Sequence, residues 1–417
     1  MPARSNGPGW LDGGPAGLTV SRFLLMTSAE KGHLNPVAGV AQWLLREGHA
    51  VGWMAVPEPA PQLATLGVEI VAMSGAPEPP ELVTGGEELA RLVLDPAALR
   101  SWIRTLLVEA VPAQVEPVRR AIRAYRPDLV VLDGMLYQAV IAAHLESVPF
   151  AGVSSALTLL EPPELDIELF RTVRALAPER AALFARYGLR PVFRTCECLS
   201  PLLNVVFATE ALVGADASVP PRTVLVGPSL PPGARGDEPA FPWERLDEGR
   251  SLVYVSFGSQ IYWQPELFAL VAEAAAPLGV QLVLSAGDLA RRGLAERLPG
   301  RVLAVPYAPQ LQVLGRAAAA VSHGGANSVM EAMSHGVPML LIPICNDQPV
   351  QAHFLGKAGA GLSLDRSGLT VEACRRALVA LLAADGQCRR RAAAVRESYR
   401  RHDGAREAAR LLATLVG

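Results

Sequence analysis

The chain has 417 residues, half of them hydrophobic, with a formal net charge of −2 and a sequence pI near 6.4. This length exceeds what one hydrophobic core usually serves and predicts two domains, while the composition excludes a largely disordered chain. Because the charge balance is nearly neutral, binding to nucleic acid or to an anionic membrane surface is disfavoured.

Lysine and cysteine usage excludes several classes of site. Lys31 and Lys357 are the only two lysines, and no Gly-Lys-Ser/Thr sequence of a phosphate-binding P-loop occurs. The five cysteines have neither the number nor the spacing of a disulfide framework or a zinc site. Residues 1–20 are rich in Gly and Pro and lack the apolar core of a signal peptide. We therefore expect a flexible N-terminal extension over 1–20, a cytoplasmic location and no transmembrane segment.

In residues 21–230, short strand-like runs alternate with helical patterns. The apolar run at 22–28 predicts a buried strand, and apolar residues at helical spacing then predict a helix that ends near Gly48. Such alternation is typical of parallel βαβ units in a Rossmann-like domain. Further strands are predicted at 50–56, 68–73, 127–134 and 202–210.

A proline-rich stretch at 231–250 predicts an interdomain linker. A second series of strand-like runs follows it, so we predict an α/β protein in which a second Rossmann-like domain, 251–400, faces the first domain across a cleft. The amphipathic segment 401–417 is expected to form a helix that braces the N-terminal domain. The strands of the second series are predicted at 251–259, 281–287, 301–307, 317–322 and 338–344.

A His-Gly-Gly turn at 323–325 separates a predicted strand from a predicted helix that begins near Asn327. In open α/β sheets, ligands bind beyond the carboxyl ends of strands, and a helix N-terminus there suits a diphosphate. His323, Asn327 and Ser328 add side-chain donors. Because Asn and Ser are also ordinary helix N-caps, the turn by itself leaves a purely structural role open.

The residues that flank this turn favour a nucleotide-sugar site. Glu331 lies one helical turn later, where a carboxylate can accept hydrogen bonds from ribose hydroxyls. Tyr307 provides a ring for base stacking, and Gln310 an amide. Asp347 and Gln348 form a pair suited to sugar hydroxyls.

This stretch resembles the donor-binding signature of the UDP-glycosyltransferase family, inverting enzymes with the two-domain GT-B fold, and especially its bacterial members that glycosylate macrolides and carotenoids. The family pattern runs W-x-P-Q, then H-x-G-x-N-S-x-x-E, then D/E-Q; this chain has Tyr307 in place of the tryptophan. The resemblance implies a UDP-sugar donor, with glucose favoured by Gln348. It also implies ribose contacts from Gln310 and Glu331, phosphate contacts from Ser259, His323, Gly325, Asn327 and Ser328, and sugar contacts from Asp347 and Gln348.

The sequence GHLNP at 32–36 resembles the turn that presents the general base in this family. A histidine has a pKa near neutrality and can take the proton of an acceptor hydroxyl as that hydroxyl attacks the sugar. His33 is therefore the predicted base. Asp133, after the strand predicted at 127–134, is the residue that the resemblance implies as its orienting carboxylate, although it could instead cap the next helix. No metal cofactor is predicted, since the helix at Asn327 can stabilise the leaving diphosphate.

The predicted acceptor is a small hydrophobic molecule with a hydroxyl group, recognised by residues in the 75–125 and 155–200 segments. One alternative is a dTDP-deoxysugar-dependent transferase acting on a polyketide-type aglycone. A UDP-sugar epimerase and a non-catalytic nucleotide-sugar-binding protein are further alternatives. A dehydrogenase is disfavoured because no G-x-G-x-x-G follows the first strand. The sequence makes no prediction of oligomeric state.

Overall fold

The computed structural model describes residues 20–56, 61–73, 83, 85–233, 235 and 238–417. The predicted N-terminal extension lies outside these residues except for Val20. Within the described residues, two open parallel sheets are flanked by helices. None of the helices in this part of the chain combines the length and the apolar character needed to cross a bilayer.

The first sheet is built from the N-terminal half of the chain. Its strands are β1 (Arg22–Ser28), β2 (Ala50–Val56), β3 (Glu69–Ile70), β4 (Leu129–Leu132), β5 (Phe150–Ser154), β8 (Asn204–Val206) and β9 (Thr223–Leu225), with a separate antiparallel hairpin of β6 (Phe193–Arg194) and β7 (Glu197–Cys198). The described strands follow the order β3-β2-β1-β4-β5-β8-β9, all parallel. The strand order therefore reverses between β1 and β4, which is where ligands bind in such sheets.

The second sheet has the same arrangement. Its strands are β10 (Leu252–Ser256), β11 (Gln281–Ser285), β12 (Arg301–Val305), β13 (Ala317–Ser322), β14 (Met339–Leu341) and β15 (Gly361–Ser363). Within the described residues their order is β12-β11-β10-β13-β14-β15, all parallel. Here the strand order reverses between β10 and β13, so the chain has two Rossmann-like halves, each with its own ligand-binding edge.

Helices connect the strands of both sheets. In the first half they are α1 (Lys31–Arg46), α2 (Gly86–Leu92), α3 (Pro96–Arg104), α4 (Val111–Tyr125), α5 (Tyr137–Leu145), α6 (Glu168–Ala175), α7 (Ala177–Ala185) and α8 (Glu210–Val213), with a π-helical turn at Thr105–Glu109. In the second half they are α9 (Pro265–Ala275), α10 (Asp288–Arg291), α11 (Gln310–Leu314), α12 (Ala326–His335), α13 (Gln348–Lys357), α14 (Val371–Leu382), α15 (Gln387–Arg400) and α16 (Gly404–Ala413).

The strands predicted from long apolar runs match the structure best. β1 and β2 have the predicted bounds, as does β13, and four successive residues of β1 are completely buried, as a parallel strand covered on both faces requires. The strand predicted at 68–73 is shorter, because only Glu69 and Ile70 pair with β2 at the sheet edge. The strands β5, β9 and β15 and the hairpin were not predicted from the sequence.

The C-terminal helix returns to the first domain and packs against α1. The C-terminal helix can approach closely because glycines lie at these contacts. A Cβ at Gly39 would lie 2.9 Å from the Ala405 Cβ, and one at Gly404 would lie 2.2 Å from the Gly227 carbonyl oxygen. The Ser229 hydroxyl also donates to the Pro36 carbonyl at 2.5 Å. These contacts hold α1, whose first turn carries His33.

Candidate active site

His33 and Asp133 meet where the first sheet reverses its strand order. His33 lies in the first turn of α1, just after β1, and Asp133 directly follows β4. Because β1 and β4 are parallel neighbours, their carboxyl ends lie at the same edge of the sheet. The structure brings together two side chains that are 100 positions apart in the sequence.

The imidazole of His33 is bonded to the Asp133 carboxylate. His33 Nδ1 lies 2.5 Å from Asp133 Oδ2, and the Ser155 hydroxyl lies 2.9 Å from the same nitrogen and donates to the same oxygen at 3.0 Å. The other carboxylate oxygen of Asp133 accepts from the Met135 N–H at 3.0 Å. Since a carboxylate only accepts, Nδ1 carries the proton, and Nε2 is the nitrogen available to a substrate.

The electrostatics of this pair favour a protonated imidazole. Burial alone lowers the pKa of His33, but the charge and hydrogen bond of Asp133 outweigh it and raise that pKa to about 9. Glu30 and Asp347 add smaller effects in the same direction. Burial raises the pKa of Asp133, but its bonds with His33 and its neighbours hold that pKa below the usual value. At neutral pH the imidazolium form of His33 therefore predominates.

Glu197 is a buried carboxyl close to this pair that the sequence analysis missed. It belongs to the short strand β7, and its Oε1 accepts from the Ser154 hydroxyl at 2.8 Å and the Thr158 hydroxyl at 2.6 Å. Burial, followed by the charge of Asp133, raises the pKa of Glu197 to about 8. Glu197 therefore holds a proton over most of the neutral range. The position of Glu197 between two cysteines gave no sequence signal for this role.

The turn after β13 is tightly built around the ring of His323. Gly258, which follows β10, and Gly324 have positive φ angles of 88° and 91°. A Cβ at Gly258 would lie 2.9 Å from His323 Nε2, and one at Gly325 would lie 2.6 Å from it. Glycine is therefore required on both sides of the ring. Ser259, the next residue after Gly258, lines the same cavity.

His323 is a neutral hydrogen-bonding group. Its side chain is buried, and Nδ1 lies 3.2 Å from the Ser322 hydroxyl. Burial lowers the pKa of His323 to about 4, against an opposing hydrogen bond with the Ser256 backbone. The neutral ring has a single N–H, which the bond with the Ser256 backbone engages, and it adds no positive charge at neutral pH.

Asn327 links the two halves of the chain. It lies in the first turn of α12, and its amide donates to the carbonyls of Gly32 at 2.9 Å and Lys31 at 3.3 Å. The predicted phosphate-binding residue therefore also holds the turn that carries His33. Ser328, next to it, lines the same cavity.

A buried network engages both carboxylate oxygens of Glu331. The Gln310 amide donates to one oxygen at 2.8 Å, and Arg235 Nη2 donates to the other at 2.5 Å. The Tyr254 hydroxyl orients the amide by donating to Gln310 Oε1 at 3.0 Å. The structure thus joins the two predicted ribose ligands and adds Arg235, which the sequence analysis missed within the linker.

Tyr307 contacts the first domain across the cleft. The Lys31 ammonium lies 3.5 Å from the centroid of its ring, in a cation–π contact. The ring that the sequence analysis predicts to stack on a base is thus covered by one of the two lysines of the chain.

Asp347 and Gln348 lie at the start of α13. Asp347 accepts from the Gln351 amide, and burial raises its pKa. The Gln348 amide oxygen accepts from the backbone N–H groups of Ile344 at 2.7 Å and Cys345 at 3.1 Å. Much of the hydrogen-bonding capacity of Gln348 therefore holds its own loop in shape.

One cavity of about 570 Å³ joins these groups. All the predicted site residues line it except Asp133, which lies behind His33. Within the described residues, no His, Cys, Asp or Glu side chains are grouped in threes as metal ligands. Apolar side chains of the first domain also line the cavity, with contributions from Leu89, Val93, Trp102, Ile103, Leu107 and Leu169.

Comparisons with known proteins agree with this arrangement. The model of the family described as UDP-glucoronosyl and UDP-glucosyl transferase matches residues 243–390. NDP-glycosyltransferase YjiC of Bacillus subtilis is 26% identical over 357 residues, 84% of this chain and 86% of that protein. The oleandomycin glycosyltransferase of Streptomyces antibioticus is 27% identical over 94% of this chain and 90% of its own length.

Among solved structures, the glycotransferase of kitacinnamycin is similar over 96% of this chain and 100% of its own, with a TM-score of 0.76 and 25% identity. The epimerase and the non-catalytic binding protein have no support in these matches. The predicted α/β fold, with two Rossmann-like domains facing a cleft, and the predicted enzyme class are confirmed. The chain has the GT-B fold and is a glycosyltransferase, and its residues 243–390 match the model of the UDP-glycosyltransferase family.

Proposed function

We propose that the enzyme transfers a sugar, glucose in the first instance, from a UDP-sugar to a hydroxyl of a small hydrophobic natural product, with inversion at the sugar C1. The observation that supports this most directly is that one cavity is lined both by His33, bonded to Asp133, and by the N-terminus of α12 with its nucleotide-sugar signature. A displacement at the sugar C1 requires a base and a leaving-group site within one cavity.

His33 is the general base of the proposed reaction. Its Nδ1–H donates to Asp133, so Nε2 in the neutral ring takes the proton of the acceptor hydroxyl. The acceptor oxygen forms a bond to C1 as the bond from C1 to the diphosphate oxygen breaks. The electron pair of that bond leaves with UDP, through an oxocarbenium-like transition state.

The leaving diphosphate is stabilised at α12. The N-terminus of this helix presents unpaired N–H groups and a partial positive charge, and His323 shapes the turn that precedes it. The proposal includes no metal ion, and it places the reaction in the cytoplasm.

The acceptor occupies the apolar part of the cavity. Trp102, Ile103 and Leu107 lie in the segment where the sequence analysis placed acceptor recognition. An apolar wall with few polar groups suits a hydrophobic aglycone with one reactive hydroxyl. The names of two relatives, oleandomycin glycosyltransferase and 4'-demethylrebeccamycin synthase, support a natural-product acceptor.

A dTDP-sugar is the second candidate donor. Both oxygens of Glu331 are already engaged by Gln310 and Arg235, which leaves fewer lone pairs for a ribose 2′-hydroxyl. A deoxyribose lacks this hydroxyl and would not need that acceptor. This observation favours dTDP without changing the mechanism.

The test combines nucleotide binding with product formation. The purified enzyme is unfolded thermally with UDP, dTDP or neither, with and without EDTA, and then assayed by mass spectrometry with UDP-glucose or a dTDP-sugar and a panel of aglycones. A nucleotide at about 100 times its Kd should add roughly 2.7 kcal/mol to the free energy of unfolding.

His33→Ala should keep this nucleotide stabilisation and lose about 10²- to 10⁴-fold in turnover. His144→Ala, which changes an exposed histidine on α5, is the matched control and should retain activity. Normal turnover by His33→Ala would refute the assignment of His33 as the general base. Loss of activity in EDTA would refute the metal-free mechanism. No stabilisation by either nucleotide would refute the donor site.

A further inference from the structure

Glu197 binds both ends of the loop that carries Ser155. Its carboxyl oxygen Oε1 lies 2.8 Å from the Ser154 hydroxyl and 2.6 Å from the Thr158 hydroxyl, and all three side chains are buried. The hydroxyl of Ser155 lies 2.9 Å from Nδ1 of His33 and donates at 3.0 Å to the carboxylate bonded to that ring. Glu197, which the proposed mechanism does not use, therefore holds the loop whose hydroxyl touches both the base and its carboxylate.

The backbone around Glu197 is also held against the turn that follows Asp133. The Cys198 N–H donates to the Gly134 carbonyl at 2.9 Å. A Cβ at Gly134 would lie 3.1 Å from the Glu197 Cβ and 3.0 Å from the Cys198 carbonyl oxygen, so the two segments are in close contact. One residue of the hairpin therefore joins the segment of Asp133 to the loop of Ser155.

The hydrogen bonds of Ser154 favour a protonated Glu197. The Ser154 hydroxyl has one hydrogen, but two oxygens lie within bonding distance, the Ala156 carbonyl at 2.9 Å and Glu197 Oε1 at 2.8 Å. A carbonyl and a carboxylate only accept, so an ionised Glu197 would leave one of these contacts without a hydrogen. A protonated Glu197 can donate to the Ser154 oxygen while the Ser154 hydroxyl donates to Ala156. This geometry agrees with the burial that raises the pKa of Glu197 to about 8.

The other ionisable groups of the hairpin and of the elements packed against it are engaged elsewhere or neutral. They are Arg180, Arg194, Glu161, Cys196 and Cys198. Both guanidinium groups are bonded to backbone carbonyls, and that of Arg194 lies 3.8 Å from Glu161. Burial raises the pKa of both thiols, so they carry no charge at neutral pH. Among charged groups, Asp133 opposes the ionisation of Glu197 and His33 favours it.

The electrostatic coupling between Glu197 and His33 acts in both directions. A protonated His33 favours an ionised Glu197, so an ionised Glu197 must favour a protonated His33 to the same degree. Ionisation of Glu197 therefore raises the pKa of His33, whereas a neutral Glu197 leaves the ring easier to deprotonate.

We propose that Glu197 is a positioning residue for His33. As a neutral acid it joins the loop of Ser155 to the turn after Asp133, and when it ionises its charge keeps the proton on His33 to higher pH. Glu197 exchanges no proton with the acceptor. This inference rests on the proposed function, because it matters for the reaction only if His33 is the general base.

The first test needs no substrate. The enzyme is prepared with isotope-labelled histidine, and the titration of His33 is followed by NMR, with His33→Ala identifying its signals among the seven histidines. His33 should titrate at lower pH in Glu197→Gln than in wild type, because the amide cannot ionise. Glu210→Gln, which removes an exposed carboxylate, should leave the titration of His33 unchanged. Equal titration in wild type and Glu197→Gln would refute the coupling.

The second test separates position from charge by kinetics. The amide of Glu197→Gln both donates and accepts, so it should keep the loop in place and retain the plateau value of kcat. Thr158→Val keeps the shape of its side chain but removes one of the bonds to Glu197. It should lower kcat about 10- to 100-fold, at a KM for the donor close to that of wild type, because a small displacement of the base is costly. An equal fall of kcat in both variants, or none in Thr158→Val, would overturn the positioning role.

These outcomes are distinct from a failure of the proposed function. If wild-type enzyme transfers no sugar from any nucleotide sugar, the proposed function is refuted, and the titration of His33 still decides whether the two groups are coupled. If wild-type enzyme is active and His33→Ala is not, while Glu197→Gln and Thr158→Val match wild type in both tests, only the role of Glu197 is refuted.

Discussion

At the scale of single residues, the buried charges around His33 decide when the base can work. A general base must be neutral, whereas the Asp133 carboxylate stabilises the protonated ring and raises its pKa to about 9. The active fraction should therefore grow as the pH rises from neutrality. The same carboxylate makes the ring a stronger base once it is neutral, so the proposed reaction favours alkaline conditions.

Asp133→Asn should separate these two effects. Without the carboxylate, burial is the main influence on the ring, so the pKa of His33 falls and the acidic limb of kcat/KM moves to lower pH. The plateau rate should fall about 10²- to 10⁴-fold because the ring loses its orientation. The measurement is kcat/KM between pH 5.5 and 10. Ser155 contacts the same atoms but carries no charge, so Ser155→Ala should shift the acidic limb of kcat/KM far less. If Asp133→Asn left the acidic limb unshifted, the assignment of Asp133 would be contradicted.

Glu197 should make the stability of the fold depend on pH. Its pKa is about 8 when folded against an ordinary value of 4.5, so between these values the folded protein holds a proton that the unfolded chain lacks. The free energy of unfolding therefore falls as the pH rises through this window, by at most about 1.4 kcal/mol per pH unit.

Glu197→Gln removes this titration. Between pH 5 and pH 8, wild-type enzyme should lose thermal stability relative to the variant, as followed by its melting temperature. Glu210→Gln, at an exposed glutamate, should instead run parallel to wild type. Parallel curves for Glu197→Gln would show that the buried carboxyl does not retain its proton.

At the scale of elements, the last helix is held by a backbone approach that only glycine allows. Gly404 begins α16 beside the Gly227 carbonyl, and Gly404 N donates to the Pro228 carbonyl at 3.0 Å. This contact seats α16 on α1, so the C-terminus of the chain supports the first turn of the catalytic helix.

Gly404→Ala should loosen this support. The added Cβ would lie 2.2 Å from a backbone oxygen, so we expect a loss of about 1–3 kcal/mol, measured by chemical denaturation. Gly356→Ala is the matched control, because a Cβ at that position in α13 meets nothing within 4 Å. It should be neutral or stabilising, since alanine favours a helix. Equal stability of the two variants would show that α16 can shift without cost.

At the scale of the whole molecule, the cleft is joined by contacts between residues that belong to different domains. The Asn327 amide donates to Gly32, which is 295 positions away, and Lys31 covers Tyr307. The same groups line the proposed donor site. Binding of the donor and the relative position of the two domains should therefore be coupled.

Asn327→Asp should break this coupling without unfolding the protein. The carboxylate keeps the shape of the side chain, but it cannot donate to the Gly32 carbonyl and it repels a diphosphate. A negative charge at a helix N-terminus is itself favourable, so the melting temperature should not fall substantially. We expect weaker UDP binding, by about tenfold or more, and a larger radius of gyration by small-angle X-ray scattering. Asn327→Ser, which keeps a donor, should be milder; unchanged scattering and UDP binding in the aspartate variant would contradict the coupling.

The sequence by itself determined the two series of strands, the glycine turns after β1 and β13, and the residue types of the signature from Tyr307 to Gln348. These features depend on neighbours within a few positions, where apolar periodicity and turn chemistry act. The strands β5 and β15 were not predicted, although others of the same length were.

Only the tertiary structure decided which distant groups meet. Arg235 reaches Glu331 across 96 positions, Glu197 lies near Asp133, and Lys31 covers a ring of the other domain. No local pattern specifies such contacts, since they depend on how two sheets and a linker are placed. The raised pKa of His33 follows from the same cause, because the Asp133 carboxylate, which folding alone brings close, outweighs the lowering effect of burial. Residue type therefore determined that a base was available, and packing determined its protonation.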